Sequence, residues 1–427
     1  MNAYVMVLNY AFPYFLTLIL IEAYAARIKK KEVYRSMDTL ASLSSGLTNV
    51  IKDVLGLTVV VISYKWLETR IGLFEIENIW WLYILAFIGI DFGGYWSHRL
   101  NHKVNYFWNH HIIHHSSEEF NLGCALRQSI SSWFSLSFLF FFPAAVVGIP
   151  YEVIVVVQPL HLFCQYWYHT RLIGKMGFLE KILVTPSHHR VHHAINKEYL
   201  DKNLSQIFII WDKIFGTFQE ELNDVQPVYG VKRPVRTWNP LLINFQHLWL
   251  IISDAWHTIS IWDKLRIWFM PTGWRPKDVI NKYPVKVIQD IEAYKKYYPK
   301  ISNALKYWVW VQLGFTFILM MVMFNSLTLL TYPQLLAYAF YLFLSIFCFT
   351  SLVDGSPLTL PSEILRFIFV VSVIFYQGDW FKLDNFLVNG KYLLIGYAVS
   401  SLWVVWNNSK NRFWKGKIGI EKSVSYK

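Results

Sequence analysis

The sequence predicts an all-α integral membrane protein, a multi-span helical bundle with a histidine-rich centre at one membrane face. Three observations predict it. Hydrophobic residues make up 55% of the 427-residue chain and charged residues only 16%, against about 25% charged in an ordinary soluble domain. The apolar residues gather into runs close to the roughly 20 residues a helix needs to cross a bilayer core. Lys and Arg collect between and beside those runs and give a net charge of +12. That placement fits the cytoplasmic side of a membrane and not a nucleic-acid partner. Cys124, Cys164 and Cys348 lie far apart, with no spacing that suggests a zinc motif or a disulfide framework. No internal repeat or low-complexity segment is present.

The first apolar run, 5–25, lacks a basic leader and a small-x-small cleavage site, so it reads as a retained span. Further spans are expected over 39–64, 79–97, 131–149, 152–169, 305–325, 332–352, 363–378 and 391–407. Gly148-Ile149-Pro150 is a turn signal that makes 131–149 and 152–169 a helical hairpin. Residues 170–304 are polar and basic, too long for a plain loop, and are expected to fold against the membrane. The chain divides into N-terminal spans (1–78), a catalytic domain (79–222), a membrane-apposed polar segment (223–304) and C-terminal spans (305–427). The cluster Arg27-Ile28-Lys29-Lys30-Lys31 sets the cytoplasmic side. Alternation from there brings 98–130, 170–304 and the tail cations Lys410, Arg412, Lys415 and Lys417 to that side as well.

Of the 14 histidines, 12 fall between positions 98 and 193. They form three boxes: His98-x-x-x-His102, His111-x-x-His114-His115 and His189-x-x-His192-His193. Residues at i, i+3 and i+4 share one face of a helix, so each box aims its imidazoles at one point. The first box begins where 79–97 leaves the membrane, and His169 ends the hairpin at the same depth as a ninth candidate. Nine imidazoles suit two metal ions better than one. Imidazole binds iron, copper, nickel and zinc, and two irons would activate O2, which redox-inert zinc does not. His110, His161, His247 and His257 have no partner spacing. Asp91 sits two turns before His98 on the same face, where a buried carboxylate is expensive. It is expected to hold the second N–H of a ligand imidazole. Gln165, His188, Asp201, Asn203 and Asp212 are candidates for similar supporting roles. Arg99 and Arg190 each follow a box histidine and are candidates for pairing with these acids or with phosphate.

The order HxxxH, HxxHH, HxxHH resembles the fatty acid hydroxylase and sterol desaturase superfamily. That resemblance implies a membrane-embedded di-iron centre facing the cytoplasm, with O2 as oxidant. Family members carry H-x-x-x-H after the hairpin; here Gln165-x-x-x-His169 stands in its place. The stretches His115-Ser-Ser-Glu-Glu-Phe-Asn-Leu, Ala125-Leu-Arg-Gln-Ser129, Trp211-Asp-Lys-Ile-Phe-Gly-Thr-Phe218, Pro227-Val-Tyr-Gly230 and Gly273-Trp-Arg-Pro276 are similar to the alkylglycerol monooxygenase branch. This implies hydroxylation of the ether-bearing carbon of a glyceryl ether, giving a hemiacetal that falls to an aldehyde and a glycerol compound, with tetrahydrobiopterin as reductant. Animal members of the branch have an acidic residue directly after the first box, where this chain has Lys103. The expected partners are a lipid, O2, the bilayer and an electron donor, with no nucleic acid. The expected membrane is a bacterial inner membrane or the endoplasmic reticulum. The aromatic-rich spans are expected to hold the alkyl chain, with 196–300 as lid and headgroup site. The residues themselves leave open a sterol, carotenoid or fatty acyl hydroxylase or desaturase, a zinc-dependent hydrolase, and a membrane metal-binding or transport protein.

Overall fold

The computed structural model describes residues 3–57, 59–60, 63–76, 79–132, 134–135 and 138–416. They form helices, short 3-10 turns and one pair of two-residue strands, Val59–Val60 alongside Phe134–Ser135. The chain clusters into two compact units, Asn9–Tyr298 and Met1–Leu8 with Pro299–Lys427.

In the first unit, α1 (Ala3–Ile28) is long and apolar enough to cross a membrane, and Leu20 and Tyr24 face outward from it. Exposed side chains this apolar need a lipid solvent. The expected span over 39–64 is corrected. Its helix, α2 (Ser36–Val54), buries Asp38, Ser42, Ser45, Thr48 and Lys52, so it is a polar interior helix. Residues 58, 61 and 62 of that segment lie outside the described residues. A short α3 (Tyr64–Ile71) follows and packs against the hairpin described below.

Next, α4 (Trp80–Lys103) has 24 residues, about 36 Å at 1.5 Å per residue. The expected span 79–97 is corrected: α4 has the length but, with Asp91 and many aromatic and Gly residues, is not apolar enough to count as a span, and His98 and His102 sit near its C-terminal end. The chain breaks at Val104, which is extended (φ −120°, ψ 126°), and α5 (Asn105–His115) starts at once with the second box. A distant segment fixes this corner. The Asn105 side-chain amide donates to the Ile267 and Trp274 carbonyls, at 3.0 and 3.1 Å, and accepts from Gly273 N–H at 2.9 Å.

The expected hairpin is corrected: the chain turns at Gly148–Pro150, but the two arms pack on α4 and α3 instead of on each other, and neither is a full span. The arms are α6 (Phe138–Val147) and α7 (Tyr151–Phe163), of 10 and 13 residues. The longer reaches about 20 Å against a hydrocarbon core of about 30 Å. Residues 133, 136 and 137 lie outside the described residues. Ile149, Val153, Ile154 and Val157 pack onto Ala86 and Ile90 of α4.

The segment after the hairpin is folded, as its length demands. It contains α8 (Pro186–His192), α9 (Ile210–Ile214), α10 (Pro240–His257), α11 (Ile261–Arg266) and α12 (Lys277–Lys282). Ile243 of α10 packs on Ile112 and Ile113, clamping the second-box helix from outside.

The second unit holds α13 (Asn303–Asn325), α14 (Tyr332–Asp354), α15 (Thr359–Gln377) and α16 (Gly390–Gly416), each packed on the next. The expected span 391–407 is corrected, because α16 is long enough but not apolar enough; the first three are long and apolar enough to span. With α1 they make four such helices among the described residues, so the chain is a multi-pass membrane protein. Lys417, the last of the tail cations, lies outside the described residues.

Candidate metal centre

Three helix ends and one hairpin end converge. His98 and His102 come from the end of α4, His111, His114 and His115 from α5, and His189 and His192 from α8, with His193 as its C-cap. His169 follows α7. Local chemistry fixes α8: Thr185 and His188 form a reciprocal capping box and Pro186 occupies the first turn, all favourable helix starts. The helix then presents positions 189, 192 and 193 on one face.

The nine imidazoles separate into two groups. His98, His102, His111, His115 and His192 form one; His114, His169, His189 and His193 form the other. Within each group the candidate ligand nitrogens lie within 4.8 Å of one another. Neighbouring Nε2 atoms approach to 2.8 Å (His98 and His111), 3.0 Å (His111 and His115), 2.9 Å (His169 and His189) and 3.0 Å (His189 and His193). Ligand nitrogens about 2.1 Å from one ion stand about 3.0–3.4 Å apart at octahedral or tetrahedral angles, so the packing matches ion-sized sites.

The backs of the rings settle which nitrogen is bare. A carbonyl can only accept, so Nδ1 carries the proton where it meets one. His98 Nδ1 donates to Leu204 O at 2.8 Å, His192 Nδ1 to Lys202 O at 3.0 Å, His114 Nδ1 to Arg127 O at 3.3 Å and His169 Nδ1 to Tyr166 O at 3.3 Å. Asp201 Oδ1 lies 3.3 Å from His102 Nδ1 and serves it the same way. The Nε2 lone pairs of His114 and His169 therefore face each other at 3.4 Å with no proton between them. Nε2 of His102 and of His192 are buried without a hydrogen-bond partner. Lone pairs converging on one point repel unless a cation sits among them. Burial, then the neighbouring imidazoles, holds His115, His192 and His193 well below the ordinary histidine pKa, and His114 down to about 3. These four rings are thus held neutral, the form that binds a metal. The residues fit two metal ions.

Supporting residues divide. Asp201 touches a box imidazole directly, and its other oxygen pairs with Lys103 Nζ at 2.7 Å. Asp212 accepts from the backbone N–H of Leu204 and Ser205, at 2.7 and 2.8 Å, and so positions the carbonyl that holds His98. Asn203 donates to the carbonyls of His188 and Gln219, at 3.1 and 2.7 Å. Asp91 is a correction. It touches none of the nine rings: it accepts from Ile207 N–H, Phe208 N–H and the Trp211 indole and pairs with His161, all within 3.0 Å. It anchors the loop from below. The Gln165 side chain reaches His161 Nδ1 at 3.1 Å, not a box imidazole; only its backbone meets one of the nine rings, His169. His188 is corrected to a helix cap. Arg190 forks onto Glu221 at 2.8 and 2.6 Å, and Arg99 donates to the Tyr95 hydroxyl at 2.8 Å.

Sequence reasoning missed Arg127 and Asp38. Arg127 is buried and paired with Asp38 at 2.8 Å, with further bonds to Ser42 and Ser116. It ties α2 to the loop whose carbonyl holds His114. The signal was present in α2 as a carboxylate at the very edge of the predicted span 39–64, one residue before its start. Glu118 and Glu119 are also buried. They bind the 294–297 segment through Tyr294, Tyr297 N–H and Lys296.

A cavity of about 360 Å³ opens onto the centre, lined by His102, His115, His192 and His193. Apolar walls come from Ile112, Val231 and Leu250.

Comparison with known proteins agrees with this geometry. Residues 83–217 match the fatty acid hydroxylase family model. Human alkylglycerol monooxygenase is 40% identical over 270 residues, covering 62% of this chain and 59% of that protein. The Xenopus tropicalis protein of that name is 36% identical over 357 residues, covering 83% and 78%. The Danio rerio protein is 34% identical over 376 residues, covering 85% and 81%. No solved structure matches the chain. The matched segment thus spans about three-fifths of the human protein and close to four-fifths of the frog and fish proteins. With the three boxes inside the hydroxylase match and the likeness running well beyond it at both ends, the chain belongs to the alkylglycerol monooxygenase family.

Proposed function

We propose that the chain is a membrane monooxygenase that uses two iron ions to hydroxylate the ether-bearing carbon of a glyceryl ether lipid, releasing an aldehyde and a glycerol compound. The observation that carries this is the pair of imidazole groups, five and four, with their bare nitrogens turned inward beside an apolar-walled cavity. His98, His102, His111, His115 and His192 would hold one ion; His114, His169, His189 and His193 the other. Two irons there supply O2 activation, which the side chains of this chain cannot perform themselves. The protein contributes the rest. Leu204, Lys202, Arg127 and Tyr166 carbonyls and Asp201 hold the ring tautomers. Ile112, Val231 and Leu250 seat the lipid and keep water from the reacting carbon.

The centre is read as facing the cytoplasm, the side set by the basic cluster after α1, in a bacterial inner membrane or the endoplasmic reticulum. The family implies tetrahydrobiopterin as reductant. The test is to supply purified protein with iron, O2 and a chain-labelled 1-O-alkylglycerol, with and without reduced pterin. The expected product is a labelled long-chain aldehyde, formed only with O2. Absence of aldehyde under both conditions, with oxygen consumed on a sterol or fatty acyl substrate instead, would move the chain to another branch of the superfamily.

A further inference from the structure

The cavity beside the metal centre carries more positive charge than its own residues neutralise. Four charged groups besides the histidines line it: Asp201, Lys232, Arg233 and Arg275. Two are matched. Asp201 pairs with Lys103, and Arg275 forks onto Asp254 at 2.5 and 2.8 Å. Arg233 makes no direct ion pair among the described residues; Asp254 attracts it from a distance but is already forked by Arg275. Its Nη2 donates to Gln246 O at 3.3 Å, while its Nη1 is buried without a partner. Thr272 Oγ1, on the same wall, is also buried and unpartnered. Lys232 adds a second cation with no acid against it among the described residues.

Arg233 is half-buried, and a guanidinium nitrogen shut away from water with nothing to donate to is unfavourable unless a ligand supplies the acceptor and the countercharge. Two unmatched cations and a free hydroxyl donor together fit a tetrahedral oxyanion. A neutral glycerol headgroup offers hydroxyls but no charge. Guanidinium and ammonium groups bind phosphate through short charge-assisted bonds. The same cavity is lined by His102 and His192, whose bare nitrogens would hold a metal ion. A ligand filling it would put its charged end on one wall and its reacting carbon at the other.

We infer that Arg233, with Lys232 and Thr272, forms a phosphate-binding headgroup site, and that the preferred lipid carries a phosphate on its glycerol. This rests on the proposed function for the position of the reacting carbon, not for the binding itself.

The test measures equilibrium binding of tritiated 1-O-hexadecylglycerol and 1-O-hexadecylglycerol 3-phosphate to the iron-loaded full chain in detergent. Aldehyde formation from the neutral lipid is followed separately. The phosphate lipid is expected to bind at least about ten-fold more tightly, as a charge-assisted contact predicts. Arg233→Gln should bring the ratio of the two dissociation constants to about one, and Arg233→Lys should keep most of it. Lys232→Gln should reduce it by a smaller factor. Equal binding of both lipids by the wild type would overturn the inference, as would a ratio unmoved in Arg233→Gln. So would inorganic phosphate displacing the neutral lipid as well as it displaces the phosphate lipid, since that marks a free-ion site. Loss of aldehyde with the binding preference intact would fault the proposed reaction and leave the headgroup site standing.

Discussion

At the centre of this protein five of the nine imidazoles are held from behind, and the holder is more often a backbone carbonyl than a side chain. Leu204, Lys202, Arg127 and Tyr166 contribute only backbone oxygen. Asp201 is the exception and gives a clean test. Asp201→Asn keeps the shape but loses the charge behind His102, so iron affinity should fall about 10–100-fold, read by competition with a chelator. Unchanged affinity would show that the contact has no bearing on the metal. His169→Ala leaves its group with three of four rings. Iron per chain should fall by about one and aldehyde formation by at least about 100-fold, because ligands acting as a unit fail together. The nine ring positions were legible because i, i+3, i+4 spacing is a direct statement about helix faces. The carbonyl holders were not, since any residue has a carbonyl and only the loop path selects one. Asp91 misled for a related reason. A buried carboxylate two turns from His98 looks like its partner, but the backbone at 207–208, the indole of Trp211 on α9 and His161 take all of its acceptor capacity.

At the scale of elements, two devices aim the boxes. One is the break at Val104, which turns α5 away from α4 and is clamped by the amide of Asn105. The other is close packing of the hairpin on α4. A Cβ added at Gly93 would meet the Phe140 carbonyl at 2.7 Å. Gly93→Ala must push α6 outward, at a cost of about 1–3 kcal/mol, seen as a lower thermal midpoint of the solubilised protein. The Arg127–Asp38 pair joins α2 to the centre. Arg127→Met leaves Asp38 buried without its cation and should cost about 3–5 kcal/mol, a larger thermal loss than that of Gly93→Ala. The reverse order would mean that α2 is not anchored through this pair. Apolar content marked the long spans α1, α13, α14 and α15 in the sequence. It overstated α6 and α7, because a run split by Gly148 and Pro150 is apolar throughout yet too short on each side. It misread α2 because small polar residues at helical spacing dilute hydropathy only slightly, while their burial against Arg127 depends on a distant loop.

Over the whole molecule, function concentrates in the unit Asn9–Tyr298, and the C-terminal unit carries a buried polar knot of its own. Arg366 is fully buried and bonds Glu363 at 2.6 Å, Ser401 at 2.5 Å and Tyr397 at 3.2 Å. Charges inside membrane helices persist only when paired. Glu363→Gln should therefore destabilise this unit by about 3–5 kcal/mol, detected as earlier proteolysis within 299–416, while iron content stays the same. Iron lost along with it would tie the second unit to the metal centre. The proposed function depends on two metal ions held by nine imidazoles in groups of five and four. The most direct measurement is metal analysis of the protein purified without added metal. The account predicts about two irons per chain, as nine histidine ligands at four or five per ion require. One zinc per chain with no iron would contradict it.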